Sequence, residues 1–179
     1  ALLCSELGAD AIGFIFYGKS KRYIPVEKAY EICSKLPPFI SKVGVFVNES
    51  YNKINRFVDL LNLDYAQLHG DESVEFCNNI DTKIIKAFRI NNSFDFEFIK
   101  NYKFRNILLD AYSSKEYGGT GQSFDWNLIA EELKQKIILS GGISSENIAD
   151  VYNQINPPAV DLSSSVEFSP GKKDGSKLK

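Results

Sequence analysis

The feature that most constrains the fold is a regular alternation of short apolar runs with longer amphipathic segments. The apolar runs are rich in β-branched side chains and end at turn residues, which is typical of strands. Seven of them can be counted: Ala11–Phe16, Lys42–Val47, Tyr65–Leu68, Lys83–Phe88, Asn106–Leu109, Ile137–Leu139 and Ala159–Leu162. Helices are predicted between them, among others over Phe94–Lys100 and near Trp126–Lys134. Strands that alternate with helices pair in parallel through crossover connections, so the sequence predicts an α/β fold.

Two α/β architectures accommodate this pattern. An open doubly wound sheet can use seven strands, whereas a closed barrel of eight parallel strands needs one more. The helix predicted over Ala1–Leu7 has no strand before it, which favours a barrel whose first strand is missing from this sequence. With 179 residues and no internal linker, a single domain over residues 1–179 is expected.

Composition argues against several classes of partner. The formal net charge is −2 and the pI about 5.5, so no basic field indicates nucleic acid or a membrane surface. The cysteines Cys4, Cys33 and Cys77 are odd in number and widely spaced, which argues against disulfides and predicts a cytoplasmic protein. With a single histidine and no His/Cys cluster, no metal site is expected.

The strongest functional signal lies in Ile137–Asn147. An apolar strand runs into Gly141–Gly142, and Ser144 or Ser145 can cap a following helix. Such a turn lets backbone N–H groups approach an anion, and the helix dipole adds to the attraction. The last strand leads into a second small polar turn, Ser163–Ser165. Because the loops after the last two strands build the phosphate site of an α/β barrel, the sequence predicts a phosphorylated small-molecule ligand.

Polar residues at other strand ends are further candidates, since ligands bind at those ends in both architectures. Asp110 follows the apolar run Ile107–Leu109, and apolar surroundings favour a protonated carboxyl that can donate a proton; a loop cap is the alternative. Arg22 lies in a charged run that is either solvated or grips a carboxylate or phosphate by two parallel hydrogen bonds. His69 is interpreted as a structural hydrogen-bonding residue.

Two further segments have simple interpretations. Gly118–Gly121 is either a surface loop or a lid over the site. The lysines from Lys172 onward are interpreted as a solvated chain end.

With these residues assembled, the sequence resembles the phosphoribosylanthranilate isomerase family of tryptophan biosynthesis. The matching stretches run in family order along the chain: Gly8–Phe16, Ser20–Ile24, Val43–Asn48, Gln67–Gly70, Leu108–Asp110, Gly118–Gly121, Phe124–Trp126, Leu139–Ile143, Asp161–Glu167 and Ser169–Asp174. The resemblance implies a single-domain (β/α)8 barrel that uses no cofactor and acts as a monomer or homodimer.

The resemblance also implies a reaction and its residues. The reaction is the Amadori rearrangement of N-(5′-phosphoribosyl)anthranilate, in which an acid protonates the furanose oxygen and a base removes the C2′ proton. Asp110 matches the acid, and Arg22 matches the residue that holds the anthranilate carboxylate. The remaining substrate-binding matches are His69 and the phosphate-site residues Gly141, Gly142, Ser163, Ser164 and Ser165.

Three departures from the family pattern stand out. The family's general base is a cysteine in a Lys-Ile-Cys-Gly motif on the first strand; the motif is absent, so this cysteine is expected upstream of Ala1, and Cys4 does not replace it. The family usually has glycine where Ser165 stands, and serine is costly if that position needs a positive φ or a close approach to phosphate. The last helix of the barrel is expected to be truncated at Lys179.

Two other functions fit the same residues less well. A related enzyme such as indole-glycerol-phosphate synthase relies on catalytic lysines at strand ends, for which Lys42 and Lys86 are the candidates. A non-catalytic barrel that holds phosphorylated ligands is the other alternative.

The expected upstream base gives a first testable prediction. A protein made of these 179 residues alone should show no isomerase turnover, because the base is absent. Intact-mass analysis establishes which chain is present, and the decay of substrate fluorescence measures turnover. Turnover by a protein whose mass matches these residues alone would contradict the expectation.

Overall fold

A computed structural model describes residues 1–102, 106–111 and 124–179. The chain forms two compact units, one of Ala1–Ile84 with Glu167–Lys179 and the other of Ile85–Val166. The single domain predicted over residues 1–179 stays a prediction. Among the described helices, none has the length and apolar character that crossing a membrane requires.

The elements follow the predicted alternation of strand and helix. In chain order they are α1 (Leu2–Glu6), β1 (Ala11–Ile15), α2 (Val26–Cys33), β2 (Ser41–Phe46), α3 (Tyr51–Leu61), β3 (Tyr65–Leu68), α4 (Val74–Cys77), β4 (Lys83–Ile90), a 3₁₀ helix (Phe96–Asn101), β5 (Ile107–Ala111), a 3₁₀ helix (Trp126–Leu128), α5 (Glu131–Lys134), β6 (Ile137–Leu139), α6 (Ile148–Gln154), β7 (Ala159–Val160), a 3₁₀ helix (Ser164–Val166), β8 (Glu167–Ser169), β9 (Lys172–Lys173) and α7 (Gly175–Leu178).

The first unit is built on three parallel strands in the order β1-β2-β3. Aromatic side chains pack beside these strands. The ring of Phe16, the residue after β1, stacks on Phe46 of β2 with centroids 5.4 Å apart, and it meets Phe57 of α3 edge-on at 4.9 Å. Cys4 of α1 is buried. Because the strands are parallel, their carboxyl ends lie at one edge of this sheet.

The second unit contains the parallel order β4-β5-β6-β7. All five residues of β5 are buried, as expected for a parallel strand covered on both faces. On β4, Phe88 makes edge-on contacts with Phe94, Phe98 and Tyr102. These contacts anchor the connection that leads from β4 towards β5.

Several predicted elements differ from the observed ones. The helix predicted over Phe94–Lys100 is a 3₁₀ helix over Phe96–Asn101, and the Asp95 side chain accepts a hydrogen bond from the Glu97 N–H at its start. The helix predicted over Trp126–Lys134 is two short pieces, because Ile129 and Ala130 adopt extended backbone between them.

The lysines near Lys179 were predicted to form a solvated end, and that was only partly right. Lys172 and Lys173 form β9, which pairs with β8 in an antiparallel hairpin. The Lys173 Nζ lies 3.7 Å from Glu167 Oε1, and the Lys177 Nζ donates to the Glu167 carbonyl at 2.9 Å. Lys173 and Lys177 therefore contact a buried residue, although Lys177, like Lys172, is itself exposed.

Two strand glycines give a prediction about packing. A Cβ added at Gly44 would lie 2.6 Å from Leu63 Cδ1 and 2.8 Å from Phe46 Cε2, both in the core, whereas one at Gly13 meets only Val45 Cγ2 at 3.8 Å. We expect Gly44→Ala to lower the free energy of unfolding by about 1–3 kcal/mol through overpacking. Gly13→Ala, on the neighbouring strand, should change it by less than about 1 kcal/mol. Urea denaturation measures both, and equal effects would contradict the packing argument.

Candidate active site

Asp110 is the buried acidic residue near the carboxyl end of β5. It is the fourth of the strand's five residues rather than a residue after the strand, and it is 3% exposed. Its Oδ1 accepts a hydrogen bond from the Ala111 N–H at 2.9 Å. The carboxyl group is therefore held in a fixed orientation in an apolar strand, which suits it to proton transfer.

The Gly141–Gly142 turn lies beside Asp110. Both glycines have positive φ, 86° and 67°, a conformation that favours glycine. A Cβ added at Gly141 would lie 2.7 Å from Asp110 Oδ1 and 2.6 Å from the Ala111 nitrogen. The structure thus brings together the predicted acid and the first predicted phosphate turn, which approach so closely that a side chain at Gly141 does not fit.

The helix after the glycine turn, α6, has a different N-cap from the one predicted. Its N-cap is Asn147 rather than Ser144 or Ser145, so the glycine turn does not form the N-terminus of the helix. The Ser144 Oγ does accept a hydrogen bond from the Glu146 N–H at 3.3 Å, in the turn between the glycines and the helix. The Asn147 side chain instead closes the turn, since its Oδ1 accepts from the Ser144 N–H and its Nδ2 donates to the Gly142 carbonyl, both at 2.8 Å. Asn147 is a site-supporting residue that the sequence interpretation missed.

The second predicted turn, Ser163–Ser165, is half-buried and continues into the 3₁₀ helix Ser164–Val166. Ser165 is not among the described residues with positive φ, so the strain suggested for a serine at this position is absent. Before this turn, the Ser140 hydroxyl donates to Asp161 Oδ2 at 3.2 Å. That bond links the ends of β6 and β7, from which the two turns start.

Arg22 is bound to Glu167 within the first unit, so the solvated alternative for Arg22 was wrong. Its Nε donates to both carboxylate oxygens at 2.9 and 3.0 Å, and its Nη2 lies 2.8 Å from Oε2. Burial alone would raise the pKa of the Glu167 carboxyl. Hydrogen bonds from Arg22 and the Gly171 N–H, with the nearby charge of Lys173, outweigh that effect and hold the pKa below its usual value.

His69 follows β3 directly and is buried. Its Nδ1 lies 3.1 Å from Gln67 Nε2, and because the amide nitrogen is the donor, Nδ1 is the acceptor. Buried Glu72 accepts from the N–H groups of Asn48 and Gly70 and so ties together the loops after β2 and β3. Its role could not be seen from spacing alone.

The two candidate lysines do not lie at the carboxyl ends of strands, where a ligand would bind. Lys42 is the second residue of β2, close to its amino end, and Lys86 lies buried in the middle of β4. The Lys86 Nζ donates to the Ala87 carbonyl at 3.3 Å. The Gly118–Gly121 tract lies outside the described residues.

The Arg22–Glu167 pair gives a prediction for stability against pH. Because the pKa of Glu167 is lowered from 4.5 in the folded protein, its contribution is present above about pH 4.5 and is lost as the pH falls through the lowered value. Glu167→Gln should reduce the free energy of unfolding by about 3 kcal/mol at pH 7, and the difference should shrink below pH 4.5.

Urea denaturation between pH 3 and 7 measures this difference. Glu49→Gln is the matched control, since Glu49 pairs with Lys53 on the surface and such pairs contribute about 1 kcal/mol or less. A difference for Glu167→Gln that does not change with pH would contradict the prediction.

Comparison with known proteins finds similarity to one family along the whole chain. A family model described as N-(5′-phosphoribosyl)anthranilate (PRA) isomerase matches residues 1–179. The N-(5′-phosphoribosyl)anthranilate isomerase of Citrifermentans bemidjiense is 44% identical over 180 residues, covering 100% of this chain and 87% of that protein. That of Thermotoga petrophila is 46% identical over 183 residues, covering 100% and 89%.

Solved structures agree with the sequence relatives. The phosphoribosyl anthranilate isomerase of Thermotoga maritima superposes with a TM-score of 0.90 at 43% identity, covering 99% of this chain and 88% of that one. A phosphoribosyl anthranilate isomerase in complex with reduced 1-(o-carboxyphenylamino)-1-deoxyribulose 5-phosphate gives a TM-score of 0.86 at 42% identity, covering 99% and 87%. The predicted α/β class, with the barrel fold of these neighbours, is confirmed. The chain belongs to the N-(5′-phosphoribosyl)anthranilate isomerase family.

Proposed function

We propose that the chain performs the isomerisation of its family, N-(5′-phosphoribosyl)anthranilate to 1-(2-carboxyphenylamino)-1-deoxyribulose 5-phosphate, with Asp110 as the general acid. The observation that carries this assignment is the close approach of the Asp110 carboxyl to the Gly141 turn. A substrate phosphate bound by that turn would keep the sugar within reach of the acid. The related structure that contains the reduced product supports a phosphorylated small molecule as the ligand.

The acid role follows from what the first step requires. Opening the furanose ring puts negative charge on the ring oxygen, and a carboxylic acid beside it supplies the proton as the C–O bond breaks. The fixed Oδ1 of Asp110 and its burial hold the acid in one orientation. Preorganisation of this kind avoids reorientation during the reaction.

The phosphate role is proposed for the two turns after β6 and β7. Gly141 and Gly142 have positive φ and no side chains to keep an anion from their backbone N–H groups, and Ser163, Ser164 and Ser165 add hydroxyl and backbone donors. A concave set of N–H groups binds an anion without needing a positively charged side chain. The helix dipole contributes less than the sequence suggested, because α6 starts only at Ile148.

The other substrate contacts are proposed from the family pattern. Arg22 would bind the anthranilate carboxylate, since a guanidinium matches two carboxylate oxygens, and His69 would contact the substrate from the end of β3. The base for the C2′ proton is proposed to be the family's cysteine on a strand before Ala1. We also propose that the enzyme is cytoplasmic and is a monomer or a homodimer.

Replacing the acid tests the proposal directly. Asp110→Asn keeps the size and the acceptor oxygen but removes the proton, so kcat of the full-length enzyme should fall by about 10²- to 10⁴-fold. The decay of substrate fluorescence measures kcat. The matched control is Asp95→Asn, at an exposed helix cap that asparagine can also form, and it should leave kcat unchanged. An unchanged kcat in Asp110→Asn would refute the acid role.

The glycine turn allows a second test. Gly141→Ala would place a Cβ against the Asp110 carboxyl and the Ala111 nitrogen, so we expect kcat/KM to fall at least about 100-fold, an effect near 3 kcal/mol. Gly8→Ala is the matched control, because Gly8 also has a positive φ, 93°, but has no atom within 4 Å of an added Cβ. It shares the backbone strain without the contact. Equal kinetics for the two variants would argue against the proposed turn.

A further inference from the structure

We propose that Glu167 is a positioning residue for substrate recognition, which holds one edge of the Arg22 guanidinium so that the other edge faces the anthranilate carboxylate. This inference rests on the proposed role of Arg22. It adds a residue that no sequence motif singled out, although Glu167 closes the matching stretch Asp161–Glu167.

The geometry of the contact defines which edge is used. Glu167 binds Nε and Nη2 of Arg22 at 2.8 to 3.0 Å, which is a side-on fork. A guanidinium carries five N–H donors in a plane, so this fork leaves the end-on edge, formed by Nη1 and the second Nη2 hydrogen, to another acceptor. A second carboxylate fits that edge with two parallel hydrogen bonds.

Both partners are themselves fixed. The side chains of Arg22 and Glu167 are 13% and 5% exposed. The Glu167 Oε1 also accepts from the Gly171 N–H at 3.1 Å, at the turn of the β8–β9 hairpin. The Arg22 N–H donates to the Ser20 hydroxyl at 3.1 Å. A long arginine side chain ordinarily loses considerable rotamer freedom on binding, and these contacts impose that order before substrate arrives.

The charges are also compatible with an anionic ligand. A glutamate beside the binding edge would repel a second carboxylate if it were unpaired. Here Glu167 shares its charge between Arg22, the Gly171 N–H and Lys173, whose Nζ lies 3.7 Å from Oε1. The guanidinium is therefore oriented without Glu167 acting as a competing free anion.

The test compares affinity with turnover in the full-length enzyme. Glu167→Gln should raise KM, and the Kd of the product 1-(2-carboxyphenylamino)-1-deoxyribulose 5-phosphate, by about tenfold, the loss expected when one charged hydrogen-bond partner is weakened. Its kcat should stay within about threefold, because the Asp110 acid is untouched. The Kd of inorganic phosphate should not change, since phosphate does not use the proposed carboxylate contact.

Double-mutant analysis separates this inference from the role of Arg22. Arg22→Ala should raise the product Kd by about 100-fold, and adding Glu167→Gln to it should weaken binding no further. An unchanged product Kd in Arg22→Ala would refute the carboxylate role of Arg22. If the product Kd rises in Arg22→Ala but does not change in Glu167→Gln, the positioning role of Glu167 is refuted and the carboxylate role of Arg22 is retained.

A purely structural role for Glu167 predicts a different pattern. In that case Glu167→Gln would lower kcat, weaken inorganic phosphate binding and weaken product binding together, and this result would overturn the proposal. Glu49→Gln is the control for loss of an ion pair in the same unit and should leave KM, kcat and both Kd values unchanged.

Glu167→Asp keeps the charge but shortens the side chain, and it serves if Glu167→Gln does not fold. It should raise KM with kcat retained, and a fall in kcat at unchanged KM would likewise overturn the proposal.

Discussion

Parallel pairing is the constraint on which the candidate site depends. In the second unit, Leu109 pairs with Leu139, and Leu139 pairs with Val160. The residue that follows each of these three in the chain is polar. These residues are Asp110, Ser140 and Asp161. Register therefore places three polar side chains at one level on one edge, and the turns after β6 and β7 begin from there. An antiparallel neighbour would have sent its following turn to the opposite edge.

The glycine turn after β6 has two properties that depend on glycine. Its positive φ values let the chain reverse immediately after β6, and the missing side chain lets it lie against the backbone of Ala111. Asn147 then takes the place that a helix N-terminus was expected to fill, by bonding to Gly142 and Ser144 from the start of α6. The turn is held by a side-chain amide rather than by direct continuation into a helix.

The sequence predicted the strands well because each is a short apolar run with turn residues at its end. All seven predicted strands are present among the described residues, and β3 has the predicted bounds Tyr65–Leu68. The helices were predicted less well where packing decides the backbone. Phe94, Phe98 and Tyr102 all contact Phe88. Phe98 lies in the 3₁₀ helix Phe96–Asn101, where the sequence predicts an α-helix, and the other two residues flank it.

The long-range partners could not be predicted at all from spacing. Arg22 and Glu167 are 145 residues apart, and each alone looks like an ordinary surface charge.

The Arg22–Glu167 pair also shows why a buried ion pair calls for a functional explanation. Taking two charges out of water costs several kcal/mol, and the attraction between them often no more than offsets that cost, so apolar residues of similar size would serve stability as well. A guanidinium that is already desolvated and oriented, however, can bind an incoming carboxylate without a second free-energy cost for desolvation and ordering. In the proposed binding mode, the fold of the β8–β9 hairpin around Glu167 therefore contributes to selectivity for an anionic ring substituent.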